Sequence, residues 1–379
     1  MRKSEHLALG YQYTFHKQSS VMLSASKTQT IVHAPDIFAG DAAGMRALNA
    51  LIKSKRPVII DTIESQLSEL VKMQHPNRAM PADEALLAAR VRLGEHPERY
   101  GIWVYYAWKN TLVHILDEDE FTQVRTNRNL YKITHEEQRL LERRKVGIIG
   151  LSVGSGVAIA MAMERIGGEL RIADFDDLEL SNMNRIRTSL TNLSLPKAII
   201  VAREIAEIDP FIKVTVFDQG ITKANIDAFF DDGGGLDLLV EECDSLPIKI
   251  LARMKARERA IPVIMETSDR GMVDVERFDI HPNASILHGR LSEAECKTLV
   301  ETGKWTPETT AKIMTAKETS ERMMRSVGEL GKTITRWPQL ASEVTAGAGV
   351  VAQLSRKILL GDHLISGRKF LDPYELFVD

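Results

Sequence analysis

The sequence predicts an α/β fold: a doubly wound, Rossmann-like mixed sheet with an N-terminal α+β lobe and helical C-terminal elements. Three observations predict it. Val146, Ile148 and Ile149 form the short apolar run that a buried parallel strand requires. That run passes into Gly150-Leu-Ser-Val-Gly154-Ser-Gly156 and then into the small apolar stretch Val157 to Met163, which reads as a helix stopped by Gly167-Gly168. A second apolar run, Leu170 to Ala173, ends on Asp174. Strand, glycine turn, helix, strand and acid make up the nucleotide-binding half of such a sheet. The glycines let backbone approach phosphate, and the helix N-terminus supplies free N–H groups. An acid about 20 residues on is placed for ribose hydroxyls.

At 379 residues the chain exceeds one domain's usual length, and we divide it into an α+β lobe, 1–120, and the nucleotide domain, 121–379. In the lobe, Gly44 to Lys53 and Thr62 to Met73 carry apolar residues at helical spacing. Ile102 to Trp108 and Thr111 to Leu116 flank Lys109-Asn110 as a β-hairpin. Its Trp103, Tyr105, Tyr106 and Trp108 are expected to pack a core, with a binding surface as the alternative. Thr134 and Glu137 form a capping box for a helix reaching Arg144. Beyond Asp174, Ser194-Leu-Pro196-Lys197 opens a helix to Ile208, and Lys213 to Phe217 is a strand. Leu236 to Val240 is a further buried strand ending in Glu241-Glu-Cys-Asp244, with a helix from Pro247 to Arg259 that Asp244 could also cap. Ile261 to Glu266 is the next strand, and Thr267 to Asp279 reads as running into an irregular region. Residues 291–330 are helix-rich and charged. Ala346 to Leu360 is a small-residue helix suited to close packing on another.

Composition excludes several classes. A net charge of −3 argues against a protein held to nucleic acid by bulk charge. The N-terminus has no apolar leader and no run approaches a membrane span, so no membrane association and a cytoplasmic location are expected. The two cysteines, Cys243 and Cys296, make no Cys-x-x-Cys pair, and the histidines make no His-x-x-x-His pair, so no zinc is expected.

The glycine signal is imperfect: a strict G-x-G-x-x-G from Gly150 would need glycine at Ser152 and Ser155. The polar cluster that follows is more telling. Asp174, Asp176, Ser181-Asn182, Asn184-Arg185 and Lys197 crowd the stretch after the second strand. A dinucleotide site needs one acid there. An arginine and a lysine suit a triphosphate instead. Carboxyl ends of parallel strands face the ligand crevice, so Asp244 is placed for Mg²⁺, with Glu241 and Glu242 as competitors.

The run D-F-D-x-x-x-x-S-N-x-x-R, with a lysine twelve residues beyond Arg185, resembles the ThiF/MoeB/HesA adenylyltransferases, whose domain the ubiquitin-activating enzymes share. The resemblance covers Arg125 to Asp279 and, more loosely, Trp337 to Leu371. It implies that Asp174 binds the ATP ribose, that Asn182, Arg185 and Lys197 hold the triphosphate, and that Asp244 binds magnesium. Gly150, Ser152, Gly154 and Asp176 complete the nucleotide-binding set. Arg125-Thr-Asn-Arg128-Asn resembles the family's R-x-x-R-Q segment, which implies that Arg128 reaches ATP from the partner subunit of a homodimer. Two positions depart from the pattern: Ile186 replaces a frequent glutamine, and Ser152 replaces the second glycine. Cys296 falls where many relatives carry an acceptor cysteine, yet its surroundings look like an ordinary helix start.

The implied activity is ATP- and Mg²⁺-dependent adenylation of a carboxylate, a peptide or ubiquitin-like carrier C-terminus, for sulfur transfer or peptide modification. Some peptide-modifying relatives carry an N-terminal clamp, which suggests substrate recruitment for residues 1–120. A relative that cyclises a carboxylate on a tRNA nucleoside is disfavoured by the charge. RTNRNLYKIT and METSDRGMVDVERFD also resemble a bacterial branch often fused to a nitroreductase-like domain. The chain ends before such a domain, so a flavoprotein partner in trans is an expectation. The competing class is a nicotinamide- or flavin-dependent oxidoreductase, or a non-catalytic nucleotide-binding protein. Arg185, Lys197 and Asp244 discriminate, because neither alternative needs them.

Overall fold

The computed structural model describes residues 31–378. The N-terminus, read as lacking an apolar leader, and the first part of the proposed lobe lie outside the described residues. The first sheet is built from β1 (Asp36–Ala39), β2 (Val58–Asp61), β3 (Ile102–Tyr106) and β4 (Thr111–Ile115), in the order β1-β3-β4-β2. Only β2 and β4 run parallel. Helices α1 (Ala42–Lys55), α2 (Ile63–Gln74) and α3 (Ala82–Leu93) accompany it. Asp41 caps α1 by accepting the Gly44 N–H at 2.7 Å.

The hairpin aromatics go to the core rather than to a binding surface. Trp103 and Tyr105 pack with Leu48 and Leu112, and the Trp103 ring stacks on His114 at 4.1 Å. Tyr106 turns the other way and its hydroxyl donates to the Ala206 carbonyl at 3.1 Å, while Trp108 Nε1 donates to Glu207 at 2.6 Å. These bonds tie the hairpin to the helix Lys197–Ile208, which packs on the second sheet, and from Val32 onward the chain is one compact unit.

Two short helices lead into the second sheet: α4 (Glu118–Thr126) and α5 (His135–Leu141). The capping box at Thr134 and Glu137 is formed. The helix stops three residues before Arg144, because that residue is drawn into the sheet, where its carbonyl accepts the Gly168 N–H and its guanidinium pairs with Asp237.

The remaining elements are β5 (Lys145–Ile149), α6 (Gly154–Glu164), β6 (Glu169–Ala173), α7 (Lys197–Ile208), β7 (Lys213–Phe217), α8 (Ile226–Asp231), β8 (Leu238–Glu241), α9 (Leu246–Glu258), β9 (Val263–Thr267), β10 (Met272–Glu276), α10 (Glu293–Thr302), α11 (Pro307–Ile313), α12 (Glu321–Glu329), α13 (Ala341–Leu359) and β11 (Gly367–Phe370). The seven strands lie in the order β11-β10-β9-β8-β5-β6-β7. The five from β9 to β7 are parallel, and β10 pairs antiparallel with both β9 and β11. This is the expected mixed, doubly wound sheet. The chain leaves β5 first toward β6 and later returns to its other side at β8, so the strand order reverses at β5. A ligand crevice belongs outside the carboxyl ends of β5 and β8.

Three local readings are corrected. Helix α6 begins at Gly154, three residues earlier than its apolar stretch, because the small residues Gly154 to Gly156 allow close packing. A Cβ on Gly156 would lie 3.0 Å from that of Ala348 on α13, and the two helices share one core with β5 and β6. Arg165 ends α6 with a left-handed φ of 55°, ahead of Gly167-Gly168. That strained residue is over-determined by ion pairs to Glu118 and Asp209. Lastly, the stretch read as irregular contains β10. Its Asp274 and Glu276 disguise a fully buried strand, and each is matched by a cation, Arg368 and Arg253.

Candidate active site

At the carboxyl end of β5, Gly150 takes a φ of +88°, which only glycine adopts without strain. It is also pressed against the β8 exit: a Cβ here would sit 2.6 Å from the Glu242 carbonyl oxygen and 2.7 Å from the Cys243 nitrogen. Close approach of two backbones at the switch point is therefore why this position is glycine. Gly154 follows in the first turn of α6 against Ile148, whereas Ser152 points its hydroxyl outward to accept Arg185 Nε at 3.2 Å.

Asp174, at the end of β6, is buried. Its carboxylate accepts the Leu151 N–H at 2.6 Å and the Asp176 N–H at 2.8 Å, so it braces the glycine turn as well as facing the crevice. Burial pushes its pKa up, against the pull of Lys197 and the two N–H groups. Lys197, the first residue of α7, is itself buried and reaches Asp176 at 2.9 Å. It is not an ordinary surface lysine.

Asn182 is buried in the turn after β6, where its side-chain oxygen accepts the Glu179 N–H at 3.0 Å. This bond shapes the segment that presents Arg185, and the backbone N–H of Arg185 in turn donates to the Asn182 carbonyl at 3.1 Å. Ile186, in place of the glutamine, packs with Leu178 and Ile200 and anchors the same segment. Partial burial lowers the Arg185 pKa, and Asp244 across the crevice opposes that shift.

Asp244 is exposed and, among the described residues, accepts no hydrogen bond. It does not cap α9; Ser245 holds that position without a side-chain bond. The competitor Glu241 is fully buried and engaged by Lys249 at 2.8 Å, by Arg253 and by the Cys243 N–H at 2.9 Å. Those cations hold its pKa down at about 2 against burial. Glu241 is thus a fastener for the β8 exit, and Asp244 is the carboxylate left over for a cation. Mg²⁺ usually takes one or two protein carboxylates beside phosphate and water oxygens. Asp244 fits that donor set, and among the described residues no cluster of three or more metal-ligating side chains occurs.

Arg128 is not brought to this crevice. It is exposed on the turn Asn127–Asn129, where neighbouring Asn129 contacts the Glu164 carbonyl at the far end of α6. That is about 15 Å of helix from the glycine turn. The first arginine of the pair, Arg125, is the anchored one, bonded to Asp209 and to the last carbonyls of α6. Neither thiol is activated: burial pushes up both Cys243 and Cys296, with nearby carboxylates adding to it.

Sequence reasoning missed a cavity of about 430 Å³ that adjoins Asp244 and Val153. Glu242 and Glu266 line it, as do Trp305 and Trp337. Glu266 lies inside an apolar strand pattern and carried no signal. Trp305 comes from a segment with no recognisable motif, and Trp337 opens a stretch whose resemblance is loose.

The switch-point crevice, glycine turn and opposed charges define a nucleotide-binding protein of the doubly wound class. The ThiF family model matches residues 124–376, and the chain belongs to the ThiF family. It is 44% identical over 271 residues to "uncharacterized protein MT1398" of Mycobacterium tuberculosis, covering 71% of this chain and 38% of that one. It is 30% identical over 156 residues to tRNA threonylcarbamoyladenosine dehydratase of Bacillus subtilis, covering 41% of this chain and 60% of that one. The chain therefore spans less than two thirds of either relative. Among solved structures, the Escherichia coli tRNA N6-threonylcarbamoyladenosine dehydratase in complex with AMP superposes with a TM-score of 0.47 at 19% identity, over 64% of this chain and 96% of that one.

Proposed function

We propose that the chain adenylates a carboxylate with ATP. The observation that carries this reading is the convergence of Asp174, Lys197, Arg185 and Asp244 on the turn after β5. Asp174 is fixed for the ribose, Lys197 and Arg185 supply positive charge, and Asp244 stands opposite. In the reaction a carboxylate oxygen bonds to the α-phosphorus and the bond to pyrophosphate breaks. Negative charge spreads over the phosphate oxygens as this happens. Fixed cations in a half-buried site stabilise it without reorganising, and orientation of the two reactants supplies the rest. Arg185 and Lys197 do this from within the chain. Asp244 would hold Mg²⁺, whose chemistry there is neutralisation of phosphate charge. A hydride-transfer enzyme has no use for this pair of cations, which sets the oxidoreductase reading aside.

The finer assignments belong to the same proposal. The carboxylate is a peptide or small carrier-protein C-terminus, recruited through residues 1–120, and the domain from 121 to 379 performs the chemistry in the cytoplasm. The relative from Bacillus subtilis is named for a tRNA nucleoside; a net charge of −3 favours a peptide here. A homodimer would bring Arg128 of the second chain to the phosphates, where a guanidinium fork matches two oxygens. A flavoprotein partner would act on the product in trans.

ATP–pyrophosphate exchange with Mg²⁺, over a panel of peptide and carrier C-termini, tests the reading. Exchange that depends on one carboxylate and disappears in Arg185→Ala supports it. Binding of NAD without binding of ATP would overturn it.

A further inference from the structure

Large apolar side chains are normally covered, and three that are not gather around one cavity. Trp305, Met314 and Trp337 are 50%, 44% and 43% exposed, and all line the space of about 430 Å³ beside Asp244. Met265 of β9, Met323 of α12 and Phe370 of β11 continue the wall. Apolar residues scattered singly over a surface need no explanation, but a walled group of them marks a ligand groove. The volume falls in the range of small-molecule sites.

Away from Asp244, the ionisable groups on the lining have nothing to offer a charged ligand. Lys249 is engaged by Glu241 and Arg368 by Asp274, each at 2.8 Å. Glu318 pairs with Arg290, and Asp269 accepts the Ser320 N–H and hydroxyl. Burial raises Glu242 and Glu266 above the carboxylate range, the latter to about 8, so both are protonated at neutral pH. The interior is therefore apolar and electrically quiet. Charge is available only at the end that adjoins the nucleotide crevice, where Asp244 and Val153 line the cavity and Arg185 stands across from Asp244. An occupant that carries one carboxylate is oriented by this polarity, with its charged end at the crevice and its apolar body inside.

We propose that the cavity receives the side chain of the terminal residue of the carboxylate substrate, and that this residue is bulky and apolar, either aromatic or long aliphatic. The inference rests on the adenylation reading and names what that site accepts. A terminal glycine would leave the tryptophans in water. An acidic side chain would lose its hydration against walls with no free partner for it.

ATP–pyrophosphate exchange by the full chain, with acetylated tripeptides ending in phenylalanine, leucine, glycine or aspartate, tests the inference. The phenylalanine and leucine peptides are expected to exceed the glycine peptide in kcat/KM by about 10- to 100-fold, the scale of burying one such side chain. The difference should lie mainly in KM, since the contact is made before and during the reaction alike. Trp305→Ala and Trp337→Ala, checked by thermal transition and by ATP binding, should each narrow that ratio. Equal or better use of the glycine or aspartate peptide, or a ratio unmoved in both variants, would overturn the inference and leave adenylation standing. Calorimetry with the same peptides, without ATP, reads the cavity by itself. Tighter binding of the phenylalanine peptide is expected there, and equal binding of all four, or none at millimolar concentration, would overturn the inference even where no peptide supports exchange. Failure of the chain to bind ATP would overturn the adenylation reading instead.

Discussion

Arg185 illustrates how a single side chain earns a role in this crevice. It is half-buried, steered by Ser152 and Asn184, and opposed by Asp244 rather than neutralised by a close ion pair. Replacing it with alanine should lower pyrophosphate exchange by about 10²–10³-fold, the scale of losing one preorganised charge donor. Thermal stability should change little, since no buried partner is orphaned. Lys197→Met should act likewise, measured by the same assay, with Asp176 left in water. The cysteines make the opposite forecast. With burial pushing both thiols up, neither is a thiolate at neutral pH. Cys296→Ser should leave exchange within about twofold of wild type, as expected for a core residue replaced by a near isostere. A collapse of exchange in that variant would restore a covalent role for Cys296.

At the level of elements, the exit from β8 is the part most sensitive to change. Gly150 meets the Glu242-Cys243 backbone there, and a methyl group at Gly150 has neither the space nor the φ it needs. Gly150→Ala should cost about 2 kcal/mol or more in urea unfolding, combining strain with a displaced turn. Glu241, Arg253 and Glu276 form a buried ion cluster beneath the same exit. Glu241→Gln removes one carboxylate from a fully buried guanidinium, and should cost about 3–5 kcal/mol. The pH dependence has a defined sign. The folded pKa of Glu241 is about 2 against an ordinary 4.5, so its contribution is complete above pH 4.5 and is lost as pH falls toward 2. Glu276, pushed up by burial beside the same arginine, works in the opposite sense, so the Glu241 effect reads best as the difference between wild type and Glu241→Gln between pH 5 and 3. An identical slope in both proteins would deny Glu241 this role.

For the molecule as a whole, the position of Arg128 is the consequential fact. Within one chain it stands at the far end of α6 from the glycine turn. If a second chain delivers it, Arg128→Ala and Arg185→Ala are each inactive alone, yet mixed chains complement. In a twofold dimer, random mixing makes half the dimers mixed with one intact site each, so exchange should return to about a quarter of wild type. No recovery after verified subunit exchange would remove Arg128 from the site.

The local code was legible wherever one short segment carried the physics by itself. The capping box at Thr134, the apolar strand runs, Lys213–Phe217 and the acid ending β6 all appear at or near their expected places. The site was legible to the same degree: Asp174, Arg185 and Lys197 lie within one βαβ stretch, and the order of residues carries their spacing. Legibility failed where an identity depends on a remote partner. Asp274 and Glu276 look wrong for a buried strand until Arg368 and Arg253 arrive from elsewhere in the chain. Glu241 and Asp244 look interchangeable until Lys249 and Arg253 saturate one and leave the other free. Sequence alone determined the fold class and pointed to the residues of the candidate site, because periodicity and glycine geometry are local properties. Only tertiary structure decided which acids are fastened and which stand ready for a ligand, because burial and charge compensation are set by segments far apart in the chain.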